Sequence, residues 1–126
     1  MTATRRKGVT AATVRRLLLG LADVEEGRSY GLPAFRVHDK FLARFRDDDT
    51  VLVVKLGTLV ERDLLLQLDP VVFFVTDHYR DYPTVLVRLA AAPLKLLTDV
   101  VRGAHAQAVT EPRRRRPPSR RARRGT

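Results

Sequence analysis

The chain predicts an α+β fold, a two-layer α-β(3)-α-β(2)-α sandwich in which helices cover one face of a five-stranded antiparallel sheet. Two observations carry this. Short strand-like runs are joined by polar separators of three or four residues, which suits hairpins and leaves no room for crossover helices. Helical stripes bracket and interrupt those runs, each apolar on one side only, so each needs a single layer to pack against. The first stripe is Val14, Leu17, Leu18 and Leu21, at i, i+3, i+4 and i+7 of a helix over about residues 10–22, with Arg15 and Arg16 off that face. Gly27 and the Gly31-Leu32-Pro33 break then predict a loop.

Three strand segments follow. Residues 34–38 alternate through Phe35 and Val37, residues 41–46 place Phe41, Ala43 and Phe45 on one face, and residues 51–56 complete a meander. His38-Asp39-Lys40 and Asp47-Asp48-Asp49-Thr50 are its turns. Thr58 opens a T-L-V-E capping box, in which the Thr58 and Glu61 side chains each satisfy an orphan backbone donor. The helix runs to about Leu68, with Leu64, Leu65 and Leu68 turned inward, and Asp69-Pro70 stops it. Residues 71–76 (VVFFVT) are apolar on both faces and rich in β-branched and aromatic side chains, as a central strand would be. A polar and aromatic loop over 77–83 leads to a fifth strand over 84–91. Pro93 suits the first turn of a last helix, whose stripe is Leu97, Val100, Val101, Ala104 and Ala108.

Charge divides the chain differently. Residues 1–110 hold sixteen Lys and Arg against thirteen Asp and Glu, whereas residues 111–126 hold eight Arg against Glu111 alone. The organisation expected is a flexible N-terminus over 1–9, a folded body over 10–110, and a disordered Arg-rich tail over 111–126, where Pro112, Pro117 and Pro118 and the lack of large aliphatic residues oppose packing. The absence of Cys excludes disulfides, thiol nucleophiles and Cys-ligated metal. No apolar segment follows the basic N-terminus, and no run approaches the ~18 residues of a membrane span. A cytoplasmic protein with no membrane partner is the expectation.

Catalytic patterns are weak. Gly27-Arg28-Ser29-Tyr30-Gly31 matches G-x-S-x-G, but that nucleophile elbow needs a strand before the Ser and a helix after it, and here a helix precedes and a strand follows. His38, His78 and His105 lack the converging spacing of metal ligands. Asp47-Asp48-Asp49 lacks the remainder of a calcium loop. No phosphate-cradling Gly-rich motif is present. These features imply no metal, no cofactor and no enzyme. The densest candidate site is His78-Tyr79-Arg80-Asp81-Tyr82-Pro83, where two aromatic faces and an arginine suit stacking on a base or a planar ligand. The alternative is that Tyr79 and Tyr82 close the core beneath the loop.

Three stretches resemble the MmcQ/YjbR family: GRSYGLPAFRVHDKFLARF from Gly27, the Glu61-Arg62 helix start, and TDHYRDYPTVLVRLAA from Thr76. The likeness spans about residues 10–110 and is most specific at Gly31, Pro33 and Phe35, at Lys40-Phe41, and in the block beginning at His78. Asp77 stands where the family pattern has Pro, and the arginine tail lies outside the pattern. The resemblance implies the same α-β(3)-α-β(2)-α sandwich. It also implies DNA binding, by analogy of fold, and supplies no catalytic set. Together these readings predict a non-enzymatic, monomeric nucleic-acid-binding protein. Arg113, Arg114, Arg115, Arg116, Arg120, Arg121, Arg123 and Arg124 would neutralise phosphates without sequence preference. His78, Tyr79, Arg80, Tyr82, Lys40 and Lys55 would orient the nucleic acid on the body. The alternative is a small-ligand or protein-interaction module whose tail serves solubility.

Overall fold

The computed structural model describes residues 8–29 and 31–110. Along the chain it forms α1 (Ala11–Leu19), β1 (Val24–Ser29), β2 (Leu32–Val37), β3 (Lys40–Arg46), β4 (Val51–Lys55), α2 (Leu59–Leu68), β5 (Phe73–Phe74), β6 (Thr84–Arg88) and α3 (Leu94–Thr110), with 3₁₀ turns at Asp77–Tyr79 and Leu89–Ala91. The strands make one antiparallel sheet in the order β1-β2-β3-β4-β6-β5. Phe35, Ala43, Phe45, Leu52, Val54, Val85 and Val87 bury one face of it against Val14 and Leu18 of α1 and Leu97, Val101 and Ala104 of α3. Phe35 and Phe45 meet edge to face at 5.9 Å, a geometry that the ring quadrupoles favour.

Local chemistry fixes the ends of these elements. The Thr10 hydroxyl accepts from the Thr13 N–H and starts α1. At α2 the Thr58 hydroxyl accepts from Glu61 N, and Glu61 Oε1 accepts from Thr58 N at 3.2 Å and Gly57 N at 2.8 Å, so the capping box is complete. The β2–β3 connection is a two-residue turn in which His38 (φ 52°) and Asp39 (φ 68°) are both left-handed, the geometry that matches the twist of a tight hairpin.

The sheet has six strands where the sequence predicts five. The added strand is β1, in the segment read as a loop around Gly27. Val24-Glu25-Glu26-Gly27-Arg28-Ser29 lacks apolar alternation because β1 is an edge strand, and only Val24 packs against the core. The VVFFVT segment is not central. It contributes the two-residue edge strand β5, and β4 and β6, each with four consecutive buried residues, lie inside the sheet. Phe41 parts from Ala43 and Phe45: the β2–β3 register shifts between Phe35 and Arg36, leaving Leu42 as the extra residue. This bulge sends Leu42 to the helix side and turns Phe41 to the other face, with Val53 and Leu86. On α2, Leu65 packs inward as expected, whereas Leu64 and Leu68 are 60% and 66% exposed and Leu66 packs inward in their place. Arg62 sets that rotation, being buried beneath the loop before β6.

Candidate functional site

Strand alternation places a set of cations on the sheet face opposite the helices. Arg36 lies between Phe35 and Val37, Arg44 and Arg46 flank Phe45, Lys55 follows Val54, and Arg88 follows Val87. Since Phe35, Phe45, Val54 and Val87 face the helices, these five cations face away from them. Between them runs an apolar row of Val51, Val53 and Leu86, flanked by Phe41 and Phe74. The Arg88 guanidinium stacks 4.1 Å over the Phe74 ring and donates to Val71 O at 3.0 Å. Arg46 contacts Asp47 at 3.4 Å, an exposed pair that screens little of its charge.

The segment after β5 folds across the same face. Tyr79 packs on the Val51-Val53-Leu86 row, and its hydroxyl accepts from Arg44 Nη2 at 2.5 Å. His78 meets the Tyr79 ring edge-on at 4.7 Å. Arg62 holds the loop from below: its Nη1 reaches Tyr79 O at 3.3 Å, Arg80 O at 2.7 Å and Tyr82 O at 3.1 Å. Three carbonyls thus converge on one buried guanidinium, two of which, Tyr79 O and Tyr82 O, also accept from the Tyr82 and Thr84 amides. Beside this loop lies an open cleft of about 590 Å³, with Arg44 and Arg46 on one wall and Thr76, His78 and Tyr79 on the other.

The sequence candidates are only partly brought together. His78 and Tyr79 border the cleft, Arg80 is exposed beside them, and Tyr82 is 57% exposed further along the loop. Lys55 is on the same sheet face. Lys40 belongs to the opposite layer, where its ammonium donates to Ala108 O at 2.8 Å near the end of α3, so it cannot act with the others. The eight tail arginines, from Arg113 to Arg124, lie outside the described residues. Arg36, Arg44, Arg46 and Arg88 were not among the sequence candidates. Their signal was present in the strands, as cations at positions alternating with core residues.

The other motifs resolve separately. Ser29 ends β1 and the chain returns directly as β2, so the strand-to-helix turn of a nucleophile elbow is not formed. His38 Nε2 meets Asp23 Oδ2 at 3.0 Å, and His105 Nε2 meets Ala22 O at 2.8 Å, both securing the α1–β1 turn. Among the described residues, no group of three potential metal ligands assembles, and no helix is long and apolar enough to cross a membrane.

Fold and site define an α+β domain with one helix-covered sheet face and one cationic face partly overlaid by an aromatic loop. The fold has a known counterpart in the crystal structure of Deinococcus radiodurans protein DR2400, which carries the family-model domain DUF419. The two superpose with a TM-score of 0.70 at 20% identity, over 81% of this chain and 80% of that one. DUF419 is the MmcQ/YjbR-like domain, so the likeness agrees in fold with the resemblance seen in sequence. No family model and no curated protein matches the chain.

Proposed function

We propose that this chain is a non-enzymatic, cytoplasmic protein of the MmcQ/YjbR type that binds nucleic acid through its helix-free sheet face, with the arginine tail as a second contact. The supporting observation is the array of Arg36, Arg44, Arg46, Lys55 and Arg88 on one sheet face of a body, residues 1–110, whose sixteen Lys and Arg are nearly balanced by thirteen Asp and Glu. Such an array neutralises phosphates, and the aromatic loop beside it offers rings to bases. Duplex affinity should fall with salt at about 0.9 logarithmic units per phosphate neutralised, so engagement of four to eight tail arginines gives a slope on the order of −4 to −7. Truncation after Thr110 should remove most of that slope and leave weak binding by the body, on the order of 10⁻⁴ to 10⁻⁶ M. A truncated body that binds no nucleic acid even at low salt sinks the proposal.

A small-ligand reading is favoured by one observation, the cleft beside Tyr79. Its arginine wall suits a phosphate-bearing ligand, so the two readings share one surface.

A further inference from the structure

The cleft between β3 and the Asp77–Tyr79 turn differs from the rest of the cationic face. Elsewhere the arginines stand over a flat apolar row. Here Arg44 and Arg46, two residues apart on one strand, share a wall of a concavity whose opposite side is aromatic. Arg44 is oriented by its bond to the Tyr79 hydroxyl, and Tyr79 is held through its carbonyl by Arg62, so the cation and the ring are fixed relative to each other before any ligand arrives. Leu32 adds an apolar patch. Thr76 also lines the cleft, and its Oγ1 is buried without a hydrogen-bond partner among the described residues. A desolvated, unpartnered hydroxyl is a deficit that a ligand can relieve.

Two carboxylates qualify the electrostatics. Asp47 and Asp77 border the same cleft, so its formal charge is balanced, and a bare phosphate dianion meets repulsion as well as attraction. A ligand carrying a phosphate at one end and amine or N–H donors at the other satisfies both signs. Resting on the nucleic-acid reading above, we infer that this cleft is a pocket for a single 5′-nucleotide unit with an amine-bearing base, either free or at the end of a strand. Its phosphate would lie on Arg44 and Arg46, and its base against Tyr79 and His78 within reach of Asp77.

The test is titration of the full chain with adenosine 5′-monophosphate and with inorganic phosphate, followed by amide chemical shifts and calorimetry. The nucleotide should bind at least about tenfold more tightly than phosphate, with shifts centred on Arg46 and residues 76–79. Arg46→Ala should weaken nucleotide binding about tenfold, as loss of a charge-assisted contact does. Arg36→Ala, on the same sheet face but outside the cleft, should leave nucleotide affinity unchanged while lowering that for duplex DNA. A 5′-phosphorylated oligonucleotide that outcompetes its 5′-hydroxyl twin identifies a strand end as the ligand; competition by neither identifies the free nucleotide, and equal competition by both overturns the inference. Absence of nucleotide binding at about 10 mM, phosphate binding as tight as nucleotide binding, or an unchanged Arg46→Ala affinity overturns the inference. Nucleotide binding that survives when the wild-type chain ignores DNA keeps the cleft and removes the wider reading. Duplex binding without nucleotide binding does the reverse.

Discussion

At the scale of single residues, the fold is tightest where backbones approach each other without side chains between them. A Cβ on Gly8 would stand 2.2 Å from Ala90 O and 2.5 Å from Leu89 O, and the next residue, Val9, donates its N–H to Leu89 O at 2.9 Å. The described fold therefore includes Gly8 and Val9, ahead of the boundary at residue 10 that periodicity suggests. Gly8→Ala must push this strap off the Leu89–Ala91 turn, and a loss of about 1–3 kcal/mol is expected in chemical denaturation. The turn between β3 and β4 carries the opposite kind of strain. Asp47, Asp48 and Asp49 are all left-handed, with φ of 55°, 56° and 65°. Asp tolerates that region better than most residues, but three in succession still conflict with L-chirality. Asp48→Gly should raise stability by roughly 0.5–1 kcal/mol, the entropy of Gly in the unfolded chain offsetting part of the relief. A stability change below zero would show that the Asp48 side chain contributes more than its backbone costs.

Among the elements, α2 shows how one side chain ties a helix to a loop. Arg62 spans from the first turn of α2 to three carbonyls of the 79–82 segment. Its contact with Asp63 at 3.1 Å involves a half-exposed neighbour and contributes little. Arg62→Ala should therefore cost about 2–4 kcal/mol and broaden or shift the amide signals of residues 77–83, while Asp63→Asn should change stability by less than about 0.5 kcal/mol. Comparable losses from both substitutions would move the weight from the loop clamp to the ion pair. The same helix shows where sequence patterning reaches its limit. Its capping box was legible because the interactions are local, within four residues. Its buried side was not, since Leu64, Leu65, Leu66 and Leu68 offer more than one apolar face and only the reach of Arg62 decides among them. The helical stripes of α1 and α3, each unique, were readable. Val71–Thr76 was misread because Val72 and Phe73 pack into the helix-side core while Phe74 joins the Tyr79 side, and such double coverage at a sheet edge has the same composition as a central strand. The cationic wall of the site needed the β2–β3 bulge and the strand order before its members could be assigned to one face.

For the whole molecule, the proposed nucleic-acid binding gives the two basic regions different tasks. The sheet face presents fixed charges, so Arg36→Ala should reduce the salt slope of duplex binding by about one and weaken all sequences alike. Selective weakening of particular sequences would mean that Arg36 reads bases. The tail starts elsewhere. Lys40 holds Ala108 O at 2.8 Å, which pins the last turn of α3 on the helix side of the β2–β3 hairpin, behind the cationic face. Sixteen residues follow Thr110, with a contour of at most roughly 55 Å. A tail that shares one nucleic acid with the sheet face must therefore pass around the rim of the sheet and approach from behind, closing on the strand as a clasp. Release then requires two detachments, each opposed by the high local concentration of the other arm. The residence time of the full chain on a strand should thus exceed that of either arm alone only when the strand is long enough to be gripped by both, and strand length becomes the variable that the lifetime of the complex reports.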